Sequence, residues 1–181
     1  MDELNGFDHV ILAIGAHNMD LLMSVENSNV VSSWDILNGQ EVSGKCVVLG
    51  GGLVGAETAE YLANKGLEVS IVEMMDKIAA QESDTVLPLM EADFEEHNVQ
   101  KFVNTRVSEI KDNVIYAVNT KDETNVEIAA DTIVNALGSK KNVFDDSKLT
   151  VPFTYVGDCS GERTADIASA IRTGYKAANE I

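Results

Sequence analysis

The sequence Gly50-Gly51-Gly52-Leu53-Val54-Gly55 constrains this chain more than any other feature. It satisfies G-x-G-x-x-G, and its surroundings supply the context that a lone motif lacks. Before it, Lys45-Cys46-Val47-Val48-Leu49 is a continuous apolar run, the mark of a strand buried on both faces. After it, residues 53–65 place Leu53/Val54, Glu57/Thr58 and Tyr61/Leu62 at helical spacing, and Gly66 stops the helix. The next strand, residues 68–73 (EVSIVE), alternates and ends in an acid, Glu73. Each residue has a physical reason. Gly50 permits the tight turn, Gly52 leaves room for a pyrophosphate, and Gly55 lets helix and strand pack closely. The helix N-terminus at Leu53 and Val54 offers free N–H donors and partial positive charge to the diphosphate. Glu73 accepts hydrogen bonds from the adenosine ribose and repels a 2′-phosphate, so NAD(H) is expected over NADP(H). A glycine-rich turn that merely packs is the bland alternative, and strand, helix, spacing and terminal acid together outweigh it.

The rest of the chain reads as an α/β layer architecture. Residues 7–14 (FDHVILAI) are expected as a strand, residues 16–32 as irregular, and Ser33 as the cap of one turn through Leu37. Residues 85–97 predict a second amphipathic helix, capped by Ser83 or Asp84, with Pro88 near its first turn. Residues 99–103 follow as a strand. VSEIK, NVIYAV and NVEIAA then read as a three-stranded antiparallel crossover. Residues 132–137 return to a buried strand ending in Gly138. The C-terminal part holds a strand (153–156), a Gly157-Asp158 turn and a helix over residues 165–181. The expected fold is thus a Rossmann-like parallel sheet with helices on both faces and a three-stranded crossover.

Charge and composition narrow the partners. Thirteen Lys and Arg against 30 Asp and Glu give a net charge of −17. Such a surface repels nucleic acid and anionic membranes, yet an anionic cofactor held by backbone N–H groups is compatible with it. Residues 73–96 carry eight acids and one lysine, expected as a solvated face. No apolar run approaches the roughly 18 residues of a membrane span, and the acidic start is unlike a secretion signal. A cytoplasmic protein is expected. Cys46 and Cys159 lie far apart, and His9, His17 and His97 share no ligand spacing, so neither a disulfide framework nor a metal site is expected. Both cysteines are read as packed thiols. No nucleophile stands beside a base, and no catalytic side chain is assigned.

The motifs FDHVILAIG, VVLGGGLVGAETAEYLANKGLEVSIVE, DTIVNALGS and YVGDC, in that order, resemble those of two-dinucleotide-binding-domain flavoproteins. These form the pyridine nucleotide–disulfide oxidoreductase superfamily. The ending, with Gly157-Asp158-Cys159, Arg163 and ADIASAIRTGYKAANEI, resembles the C-terminal reductase portion of NADH:flavin oxidoreductases of the Old yellow enzyme type, such as 2-enoate and 2,4-dienoyl-CoA reductases. The resemblance implies that Gly50, Gly52, Gly55 and Glu73 belong to an NAD(P)H site. It places Glu57 near the meeting point of nicotinamide and flavin, and Gly138 at the nucleotide cleft. Gly157 and Asp158 match the motif whose Asp bonds the FAD ribityl chain, and the helix start near Ala165 and Asp166 would approach the flavin ring. Departures matter too. There is no second G-x-G-x-x-G to grip an FAD diphosphate, no FMN barrel and no Cys-rich iron–sulfur segment. The expected organisation is a partial FAD-binding segment over residues 1–39, an NAD(H)-binding domain over 40–138, and a C-terminal FAD-domain segment over 139–181. FAD binding by this chain is expected to be weak or absent and the isolated chain inactive, the remaining FAD and FMN-barrel portion of the enzyme being its partner. The alternative is a stand-alone NAD(H)-binding sensor or regulatory module.

Overall fold

The computed structural model describes residues 3–161 and 166–181. In chain order the elements are β1 (Val10–Leu12), β2 (Ala16–Asn18), β3 (Ser24–Glu26), β4 (Val30–Ser32), α1 (Ser33–Leu37), β5 (Cys46–Leu49), α2 (Leu53–Asn64), β6 (Val69–Val72), α3 (Leu87–Glu96) and β7 (Gln100–Phe102). There follow β8 (Thr105–Lys111), β9 (Val114–Asn119), β10 (Asn125–Ala129), β11 (Thr132–Asn135), β12 (Ser139–Lys141), β13 (Phe153–Tyr155) and α4 (Ile167–Glu180). They divide into two compact units, residues 18–138 and residues 1–17 with 139–181.

The larger unit is built on a five-stranded parallel sheet of order β4-β11-β5-β6-β7. Its three central strands, β11, β5 and β6, are buried at every position because each is covered on both faces. On one face lie α1, α2 and α3, with Val48, Ile71 and Val134 packed against Ile36, Ala56, Leu62, Met90 and Phe94. On the other, Val47, Leu49, Val72 and Ile133 meet Ile110, Ile115 and Ile128 of the sheet β10-β9-β8-β3. Fully burying one such aliphatic side chain contributes about 1.5–3 kcal/mol.

The α/β class with its parallel sheet is the one expected. The second layer differs: helices occupy one face, and antiparallel strands take the place expected for helices on the other. The crossover also gains a fourth strand, because Ser24–Glu26 pairs parallel with Glu109–Lys111. Its β8–β9 hairpin turns on Asp112 and Asn113, both left-handed at φ 50° and 60°, as a two-residue turn of this twist requires.

Several boundaries differ from expectation. Residues 16–32 are not irregular but hold β2, β3 and β4, three short strands whose partners lie far along the chain. Because β4 pairs with Ile133–Asn135 and Ile36 of α1 is buried in the core, residues 18–39 belong with the parallel sheet, and the division falls after His17 rather than at 39. Ser32, not Ser33, caps α1, accepting the N–H groups of Trp34 and Asp35. Neither Ser83 nor Asp84 caps α3 with its side chain. Instead the carbonyl of Ser83 accepts the N–H groups of Val86 and Leu87 in a turn ahead of the helix, and Pro88 occupies its first turn. The strand expected over 7–14 shortens to Val10–Leu12, the length of its partner.

The smaller unit contains the parallel pair β1-β13, the pair β2-β12 and α4. Asp166 caps α4, accepting the N–H of Ser169. This helix buries Ser169, Thr173 and Ala177 while Ile167, Ile171 and Tyr175 stay exposed. None of the described helices is long and apolar enough to cross a membrane.

Candidate nucleotide-binding site

The fingerprint glycines lie between the end of β5 and the start of α2, and each is required by a different contact. Gly50 stands at φ 99°, and a Cβ there would lie 2.6 Å from the carbonyl oxygen of Ala136, just past β11. Gly55 is buried under the turn, where a Cβ would run into the carbonyl of Gly50. Gly52 is the opposite case, exposed and with nothing within 4 Å of its Cβ position. Two glycines therefore close the turn onto the sheet, and the third leaves open space at the helix start. Gly52 is also the N-cap of α2 and no side chain caps it. The first-turn N–H groups of Leu53 and Val54 have no partner within the helix, so they can meet an anion. Val54 and Glu57 are exposed on that helix.

Glu73 follows β6 and is half-buried. One carboxylate oxygen accepts the Gly51 N–H at 2.6 Å, and the other accepts the Met75 N–H at 2.7 Å. The carboxylate is thus part of the turn as well as its neighbour, a role that the sequence reading of Glu73 as a ribose acceptor did not include. Each carboxylate oxygen keeps a further lone pair, so acceptor capacity remains while donors are absent. The loop after β6 completes the frame: the Ala79 N–H donates to the Gly51 carbonyl at 2.7 Å. Ala79 is fully buried and left-handed at φ 48°, a conformation that costs an alanine about 1 kcal/mol. Nothing in the alanine itself signals this position.

Gly138 follows β11, exposed at φ 122°, and its carbonyl accepts the Met19 N–H at 3.0 Å. Asn135, buried at the end of the same strand, donates to the Met19 carbonyl at 2.7 Å and accepts the Leu137 N–H. It is a brace of this strand end that the motif reading passed over.

The structure therefore brings Gly50, Gly52, Leu53, Val54, Gly55 and Glu73 together around one turn in the larger unit. Gly157 and Asp158 lie in the smaller unit, in a single turn of 3-10 helix spanning Gly157–Ser160. Gly157 is left-handed at φ 66°. Cys159 is buried, its thiol within 3.1 Å of the carbonyls of Leu12 and Val156. Cys46 is buried too, and burial, with Asp131 adding to it, pushes its thiol up to about 11. Both thiols are packed groups. Arg163 and Ala165, named with the C-terminal motif, lie outside the described residues.

Comparison with known proteins identifies the family. A family model described as pyridine nucleotide-disulphide oxidoreductase matches residues 3–163. The bilirubin reductase of Mediterraneibacter gnavus (strain CC55_001C) is 46% identical over 181 residues, covering 96% of this chain and 28% of that protein. The NADH oxidase of Thermoanaerobacter brockii is 31% identical over 186 residues, with 96% and 28% covered. A 2-naphthoyl-CoA reductase solved with 2-naphthoyl-CoA superposes with a TM-score of 0.83 at 27% identity, covering 99% of this chain and 28% of that one. The chain thus spans little more than a quarter of the length of these relatives. With a family model covering most of its length, the chain belongs to the pyridine nucleotide-disulphide oxidoreductases.

Proposed function

We propose that this chain is the NAD(H)-binding part of an FAD-dependent oxidoreductase of the NADH:flavin type, similar to 2-enoate reductases. The open space at Gly52, beside an uncapped helix start and a carboxylate with acceptor capacity only, carries this reading. Leu53 and Val54 N–H groups hold the diphosphate, Glu73 receives the ribose hydroxyls, and Glu57 and Gly138 line the way to the nicotinamide. Asp158 receives a hydroxyl of the FAD ribityl chain. Nicotinamide and flavin supply the hydride chemistry when bound, with onward transfer to FMN and iron–sulfur centres in a full-length enzyme. The residues of this chain bind and orient, and none needs to act as an acid or base.

The residues fit the two cofactors unequally. The turn at Gly50–Gly55 is complete for a dinucleotide, whereas the Gly157–Asp158 turn has no second glycine-rich turn in the sequence to hold a diphosphate. FAD affinity is accordingly weak. NADH titration of the purified chain, with its flavin content measured alongside, tests both parts. Binding of NADH without stoichiometric flavin is expected. A yellow sample with stoichiometric flavin contradicts the weak FAD site, and absence of NADH binding contradicts the nucleotide site.

A further inference from the structure

Thr173 lies in the middle of α4 and is buried. Its hydroxyl donates within the helix to the carbonyls of Ser169 at 2.9 Å and Ala170 at 3.2 Å, sharing one hydrogen. It also accepts the Gly157 N–H at 2.8 Å. Mid-helix threonines commonly back-bond to the preceding turn. Here one lone pair of the same oxygen also accepts from outside the helix, from the residue before Asp158. Space does not dictate Gly157, since a Cβ there would meet only the Ala170 Cβ at an ordinary 3.9 Å. What marks it is its left-handed backbone at φ 66°. Cys159, on the other side of Asp158, is tied down independently by its thiol on the carbonyls of Leu12 and Val156, and the Val156 N–H donates to the same Leu12 carbonyl at 3.0 Å. Asp158 therefore sits between two anchored neighbours, one held by β1 and the other by α4.

We infer that Thr173 is a positioning residue for the flavin: its hydroxyl fixes the left-handed Gly157 and so sets how Asp158 is presented to the ribityl chain. This rests on the reading of Asp158 given above. Valine keeps the shape of threonine and loses its acceptor, leaving the Gly157 N–H unpaired, whereas serine keeps it.

Amide exchange and FAD-induced amide shifts, measured by NMR on this chain with FAD added to millimolar concentration, test the inference. In Thr173→Val the Gly157 amide should exchange about tenfold faster and FAD should bind about tenfold more weakly, the scale of one lost bond to a buried donor. Thr173→Ser should restore both, and NADH affinity and the Gly51 amide should be unchanged in either variant. Thr173→Ala replaces valine if valine disturbs the packing of α4. Unchanged Gly157 exchange, or wild-type FAD affinity in the valine or alanine variant, overturns the role of Thr173. A loss of FAD shifts in Asp158→Ala supports the flavin reading separately. FAD shifts that are absent from the wild type, or that survive Asp158→Ala, overturn that reading and this inference's ligand with it.

Discussion

Glu73 accepts the N–H of Gly51 at 2.6 Å, joining the end of β6 to the middle of the glycine-rich turn between β5 and α2. With the Met75 N–H on its other oxygen, the carboxylate is oriented before any ligand arrives. In the proposed NAD(H) site its free lone pairs would receive ribose hydroxyls, and its charge would repel a phosphate.

Glu73→Gln separates these roles. The amide NH2 must face either Gly51 or Met75, leaving one backbone N–H without an acceptor at a cost of about 1–2 kcal/mol. Thermal denaturation should show a lowered Tm, and NADH binding should weaken with it. An unchanged Tm would mean that the bracket contributes nothing to the turn.

Gly52→Ala and Gly55→Ala form a matched pair. A methyl at Gly52 enters open space, so stability should hold within about 0.5 kcal/mol while NADH affinity falls at least tenfold. At Gly55 the methyl meets the Gly50 carbonyl, and overpacking should cost about 1–3 kcal/mol. Denaturation curves and NADH titrations of the two variants check this. Equal stability losses would contradict the division of labour between the two glycines.

Burial holds the Glu60 carboxyl above its ordinary range, with Asp93 and then Glu57 adding to it. A carboxyl raised in the folded state contributes stability at low pH that is lost as pH rises through its folded pKa. Glu60→Gln should therefore stabilise the protein at pH 7 by a few tenths of a kcal/mol, since solvent screens the group. Below about pH 4 the advantage should vanish, because both carboxyl states are then protonated. Urea denaturation at pH 7 and pH 4 measures the difference.

The Cys46 thiol stays protonated to about 11 in the folded chain, against an ordinary 9.0. The unfolded thiol ionises first, so the stability it contributes below pH 9 is lost as pH rises toward 11. At pH 8 iodoacetamide should leave Cys46 unmodified in the folded protein and label it on unfolding. Rapid labelling under native conditions would contradict its burial.

The glycine-rich turn was legible in the sequence because its requirements are local: Gly50, Gly52 and Gly55 lie within six residues, between a buried strand and a helix. The crossover was legible for the same reason, its hairpins pairing neighbours such as Ile110 and Ile115. What stayed hidden depends on distant partners. Val30 and Val31 form a strand only because Ile133 and Val134 lie beside them, and three residues carry too little periodicity to say so. Ala79 is held left-handed by its bond to Gly51, and Thr173 is tied to Gly157 across 16 residues. Asn135 reads as the end of a strand until its bond to Met19 is seen.

Parallel titrations with NADH and NADPH, with and without added FAD, measure whether the Glu73 carboxylate selects between the two nucleotides. NADH should bind at least about tenfold more tightly than NADPH, since a 2′-phosphate would have to face the Glu73 carboxylate. Equal affinity for the two nucleotides would contradict the role given to Glu73, and binding of neither would contradict the nucleotide site itself.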